Sequence, residues 1–181
     1  MLSSFAAMFH DWRDFYLLIG TASATLVGLM FVAASIGSSI FNEKHSAPLN
    51  AFLSPTVAHF TAVLFASLLI VIPTLSWRIL GGLLGVGGLA GLVYSGKILV
   101  QIVIRRSFKV DMSDRTFYAL ILVLGYLLSL CAAALLFLES AASANVIAAA
   151  LLILLLAGIR NAWDMMVWIA INAPSSRETS S

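Results

Sequence analysis

Charge is what this sequence has least of. Only 10% of its 181 residues are Asp, Glu, Lys or Arg, and the formal net charge is +2. A soluble domain carries about 25% charged residues and is about half apolar. Here the apolar share is 61% and the mean hydropathy is +1.04. The chain lacks the polar residues to cover a water-facing surface, so the bilayer is the solvent that fits it. The few Lys and Arg do not gather into the clustered patch that a nucleic-acid surface needs, so no nucleic-acid partner is expected. Cysteine is nearly absent. Cys131 alone cannot form an internal disulfide, and in its apolar run it reads as a small core residue. Three scattered histidines and that one cysteine give no metal-site spacing. A G-x-S-x-G elbow, an H-E-x-x-H pair and a P-loop are all missing. No catalytic residue, cofactor or metal is therefore expected, and the chain reads as a non-enzyme.

Long apolar runs are what it does have. The first, Phe15 to Phe41, carries no charge and exceeds the roughly 20 residues that a helix needs to cross a bilayer core. Its flank, Phe9-His10-Asp11-Trp12-Arg13-Asp14, has mixed charge, and the run is too long for a signal peptide; it reads as a retained helix. The runs predict an all-α polytopic transmembrane bundle with five spans, near 15–41, 52–76, 79–104, 117–138 and 145–171. An interfacial segment, 1–14, precedes them, and a polar tail, 172–181, follows. A four-span arrangement follows only if 79–104 re-enters instead of crossing. In 1–14, Phe5, Met8, Phe9 and Trp12 recur at helical spacing, and Trp12 and Tyr16 suit the headgroup level. Pro55 is expected in the first turn of the second helix, and Pro73 near its far end.

Small residues recur four apart on the first and third runs. Gly20, Ala24 and Gly28 form one row, and Gly81 with Gly85, and Gly87 with Gly91 and Ser95, form two more. Such rows let two backbones approach closely in lipid. They predict that the first and third helices are the packing centre and that part of their surface serves a homo-oligomer or a membrane-protein partner. The string Gly85-Val86-Gly87-Gly88-Leu89-Ala90 fits a loose dinucleotide pattern, but it lies inside an apolar run rather than after a strand, so no cofactor is read from it.

Polar residues within the spans are the place to look for chemistry. The candidates are His59, Lys97, Gln101, Arg160, Asn161 and Asp164. With the second helix starting near Phe52, His59 lies about 10 Å along it at ~1.5 Å per residue. The others sit in the last turns of the third and fifth helices, so all six are expected near one leaflet as a polar vestibule facing the cytoplasm. Arg160 and Asp164 are four apart and suited to a local pair. Basic residues set the orientation. Lys44, Arg105, Arg106, Lys109, Arg115 and Arg177 fall on one side, against Arg13 and Arg78 on the other. That bias puts the N-terminus outside and the C-terminus in the cytoplasm.

The segment Asp11-Trp12-Arg13-Asp14-Phe15-Tyr16, followed by Ile19-Gly20-Thr21-Ala22-Ser23-Ala24-Thr25-Leu26-Val27-Gly28-Leu29-Met30-Phe31-Val32-Ala33, resembles the opening of small, uncharacterised multi-pass proteins of bacterial inner membranes. The resemblance implies a bacterial inner-membrane location and brings no activity, site or substrate. Composition and pattern together lead to the expectation of a membrane module that acts by helix association, as scaffold or modulator. The alternative is an oligomeric ion channel or small transporter built on the six polar residues.

Overall fold

The computed structural model describes residues 9–40, 46–104 and 112–172, with side chains described outside 36–55, 101–118, 165, 168–170 and 172. The expectations that rest on Phe5, Met8, Lys44, Arg105, Arg106, Lys109 and the tail after Asn172 lie outside the described residues. Five helices follow one another: α1 (Arg13–Ile40), α2 (Ser46–Val71), α3 (Trp77–Ile104), α4 (Met112–Phe137) and α5 (Ala142–Asn172). A short helical turn at 9–11 precedes α1. Four apolar stretches are long enough to cross a membrane by length and composition: Arg13–Ser35, Trp77–Val100, Ala119–Phe137 and Ala142–Asp164. The apolar stretch among the described side chains of α2 is shorter, Thr56–Val71. The architecture is the all-α polytopic bundle that the composition predicts. The third run is one uninterrupted helix of 28 residues, about 42 Å at ~1.5 Å per residue, so it is not broken as a re-entrant segment would be.

Close approaches fix the directions. Gly20 meets Ser67, while Ser23 donates to the Phe60 carbonyl at 2.6 Å, so α1 and α2 run antiparallel. Gly81 faces Leu136, Gly85 faces Ala133 and Gly91 faces Tyr126, which makes α3 and α4 antiparallel. The short turn between Phe137 and Ala142 reverses the chain, so α4 and α5, which meet at Gly125 and Leu154, are antiparallel, and Gly158 against Phe60 with Asn161 on Thr56 makes α2 and α5 antiparallel too. The hydroxyl of Tyr16, at the start of α1, donates to the Ala144 carbonyl at the start of α5 at 2.8 Å. The starts of α1, α3 and α5 therefore share one end of the bundle with the ends of α2 and α4. Tyr16 is fully buried there, its ring turned into the bundle.

The packing centre differs from the expectation. α5 packs against α1, α2 and α4, and α3 lies mainly on α4. Of the most apolar 18 residues within Ala142–Asp164, 56% are buried, against 17% of those within Trp77–Val100. Glycine count misled because it marks where backbones can approach, and most of α3 has no neighbour but α4. Cys131 also departs from its reading, being exposed on the outward face of α4.

Helix boundaries follow local chemistry. α2 stops at Val71, two residues before Pro73, since proline disfavours helical geometry in the residue that precedes it. Ser76 caps α3, its hydroxyl accepting from the Ile79 N–H at 3.4 Å. α2 starts at Ser46, earlier than expected, so Pro55 lies inside the helix and not in its first turn. Between α4 and α5, Glu139 takes a left-handed φ of 52°. Its N–H reaches the Leu136 carbonyl at 3.1 Å, and the Ser140 N–H reaches Leu135 at 3.0 Å. This is a Schellman stop with glutamate where glycine is usual. A side chain in that conformation costs about 1–2 kcal/mol. Glu139→Gly is expected to raise the unfolding temperature in detergent by a few degrees, and an unchanged or lower midpoint contradicts it.

Candidate functional site

α2 carries the polar centre of the bundle. His59 sits midway between Ser46 and Val71, about 20 Å from the helix start at ~1.5 Å per residue. That is twice the depth expected from a start near Phe52, and it moves His59 away from the leaflet boundary to the middle of the bundle. The ring is fully buried. Its Nδ1 lies 2.6 Å from the hydroxyl of Tyr126 on α4, and its centroid lies 6.2 Å from the ring of Tyr94 on α3. Either the phenol donates to Nδ1 or Nδ1–H donates to the phenol, depending on the tautomer. Nε2 is buried and has no hydrogen-bond partner among the described residues.

One turn away, Thr56 and Asn161 join α2 to α5, the amide N–H of Asn161 donating to the Thr56 hydroxyl. Thr56 is fully buried. In hydrocarbon an unpaired polar group costs several kcal/mol, so such pairs fix which helix faces meet. The Thr56–Asn161 and His59–Tyr126 pairs thereby tie α2 to α5 and to α4 within one turn of each other.

Of the six sequence candidates, the five with described side chains do not share one interior face. His59 and Asn161 face the interior on neighbouring turns. Arg160 and Asp164 pair with each other at 3.5 Å and remain more than half exposed, at 57% and 53%. Lys97 is exposed on α3. The Gln101 side chain lies outside the described residues. The outward positions follow from helix geometry: Arg160 is one residue, or about 100° of helical turn, from Asn161, so the two cannot face the same side. Within the single chain, the described side chains of these candidates do not line one vestibule. Beside Tyr126 lies a cavity of about 140 Å³ between α2, α3, α4 and α5, lined mainly by apolar residues such as Ala62, Leu84 and Leu151.

The small-residue rows divide in the same way. Gly20, Gly81, Gly85 and Gly91 face neighbouring helices, and Ser95 is buried with its hydroxyl on the Gly91 carbonyl at 2.8 Å. Ala24 is exposed, and Gly28 and Gly87 have nothing within 4 Å. The tightest glycines besides Gly91 are Gly125 and Gly158, in runs where no row drew attention. The partners of His59 were also missed. Their signal is that Tyr94 and Tyr126 lie deep inside apolar runs, although tyrosine collects at membrane interfaces.

Among the described residues no group of three or more His, Cys, Asp or Glu is placed to hold a metal. Compared with protein-family models, curated proteins and solved structures, the chain matches none.

Proposed function

We propose that this integral membrane protein is a non-enzymatic module that works by helix association in the bilayer, as a scaffold or modulator, with a second copy of itself as its first partner. The observation that carries the reading is the free face of α3. About a third of a turn around from the α4 contact, the positions 82, 86, 89, 93 and 96 form one stripe along the helix, with Gly82 and Gly96 half-buried at its edge. Val86, Leu89 and Val93 on it are 71%, 56% and 50% exposed. Gly82 and Gly96 have nothing within 4 Å. A glycine inside a helix costs roughly 0.5–1 kcal/mol relative to alanine, and against lipid tails it returns nothing. Against another helix it allows close backbone contact.

The same reading puts the protein in a bacterial inner membrane with its N-terminus outside, on the strength of the basic residues in the connectors and of the resemblance in the first helix. Placing isoleucine at both Gly82 and Gly96 is the test, since a Cβ at either position meets no neighbour within 4 Å. Cross-linking in proteoliposomes should trap an oligomer of the wild type and much less of the double variant, at equal unfolding temperature. Monomer in both counts against self-association.

A transport reading draws support from His59, a titratable ring in mid-bundle with an unpartnered nitrogen. Against it stand the outward positions of Lys97, Arg160 and Asp164 and the apolar lining of the cavity beside Tyr126.

A further inference from the structure

At the end of the bundle where α1 begins, residues 9–13 fold against the α2–α3 turn and enclose a crevice of about 610 Å³ that opens to the surface. Its depth is apolar, with the buried Leu69 and Leu80 and the half-buried Leu75, and the exposed Ile72 continues the apolar wall outward. Its lining also includes Arg13 and Trp77. The volume falls in the range of ligand sites, roughly 300–1,000 Å³. Its height is that of the headgroups, because it lies between the N-terminal turn of one membrane helix and the turn joining two others.

We propose that this crevice holds one zwitterionic aminophospholipid, with its phosphate on Arg13 and an acyl chain in the apolar depth. Two features select this occupant. The lining is amphipathic in the same sense as a lipid, apolar within and cationic at the mouth. Arg13 is exposed and makes no ion pair among the described residues, and a guanidinium matches a phosphate by paired N–H donors. Asp11 and Asp14 flank Arg13 on the same exposed segment. Their carboxylates disfavour a headgroup that is only anionic and suit one that also carries an ammonium group. The inference is independent of the α3 face and of any activity of the chain.

Native mass spectrometry of the full chain, released from an uncharged detergent, tests it. The probes are a phosphatidylethanolamine, a phosphatidylglycerol of the same chains, and free phosphoethanolamine. The wild type is expected to retain one phosphatidylethanolamine after other lipids have been stripped. Arg13→Gln should weaken that retention about tenfold, the scale of one hydrogen-bonded charge. Ile72→Ser, on the exposed part of the wall, should weaken it without changing the unfolding temperature. A chain-brominated phosphatidylethanolamine should quench Trp77, as read by the loss of that quenching in Trp77→Phe. Equal retention by wild type and Arg13→Gln overturns the proposal. So does preference for phosphatidylglycerol, or binding of free phosphoethanolamine as tight as that of the lipid.

Discussion

Alanine at Gly91 is expected to lower the unfolding temperature in detergent by several degrees, while alanine at Gly87, four residues earlier on the same helix, leaves it unchanged or raises it. A Cβ at Gly91 would overlap Cε1 and Cδ1 of Tyr126, inside any permitted contact. The ring is not free to swing aside, because its hydroxyl is held by His59 at 2.6 Å. Either α3 moves off α4 or the phenol leaves the imidazole. Overpacking of this kind costs about 1–3 kcal/mol, and loss of the hydrogen bond adds about 1 kcal/mol. At roughly 2–4 °C per kcal/mol for a chain of this size, the shift is measurable even after the helix-propensity gain of up to ~1 kcal/mol is subtracted. Gly87 has nothing within 4 Å, so only the gain applies there. Gly158→Ala should behave like Gly91→Ala, since its Cβ would meet the buried Phe60 ring at 2.5 Å. Removing the obstacle supplies the control: Gly91→Ala made together with Tyr126→Leu should lose less than the two changes added. Equal midpoints for the Gly91 and Gly87 variants would contradict the α3–α4 contact.

Membrane class and helix number are legible in the sequence because both are summed properties. Long runs without charge leave no other solvent, and Pro73 with Ser76 marks a break between two of the runs. Packing partners are not summed properties. The row Gly20, Ala24 and Gly28 looks uniform at a spacing of four, yet the structure buries only Gly20 against another helix. A straight row drifts around an α-helix, since four residues turn about 400° and not a full multiple of 360°. His59 was found because an ionisable residue in an apolar run stands out. Its depth is greater than the apolar run alone implies, because the helix begins at Ser46 and not at Phe52. Tyr126 and Thr56 carry no such signal, because a hydroxyl on an apolar run is common, and only the facing helix tells which hydroxyl meets a partner. The centrality of α5 had no sequence signal. It reads as an unbroken Ala/Leu stretch, and it is central because three other helices have faces that fit it.

The His59–Tyr126 pair gives the second large effect, and it separates the two functional readings. Tyr126→Phe keeps the ring that packs on Gly91 but removes the hydroxyl, leaving both imidazole nitrogens buried without a partner. His59→Phe leaves the phenol unpaired in the same place. Each single change is expected to destabilise by about 1–3 kcal/mol, the cost of stranding one buried polar group. Polar pairs between membrane helices have measured couplings near 0.6 kcal/mol and up to about 1.7 kcal/mol, so the lower half of that range is the safer expectation. The double variant strands nothing and should lose less than the sum of the singles. A coupling of about 1 kcal/mol in detergent unfolding checks the bond, and strict additivity contradicts it. The same three proteins, reconstituted in vesicles, address function. If the pair only orders helices, wild type and variants show equal, background permeability to protons and monovalent ions. A wild-type proton flux that His59→Phe abolishes, with assembly retained, replaces association by transport. In that case Nε2 becomes the atom to follow: a ring that exchanges protons needs its second nitrogen to reach a donor or acceptor, and the cavity beside Tyr126 is where water would have to enter.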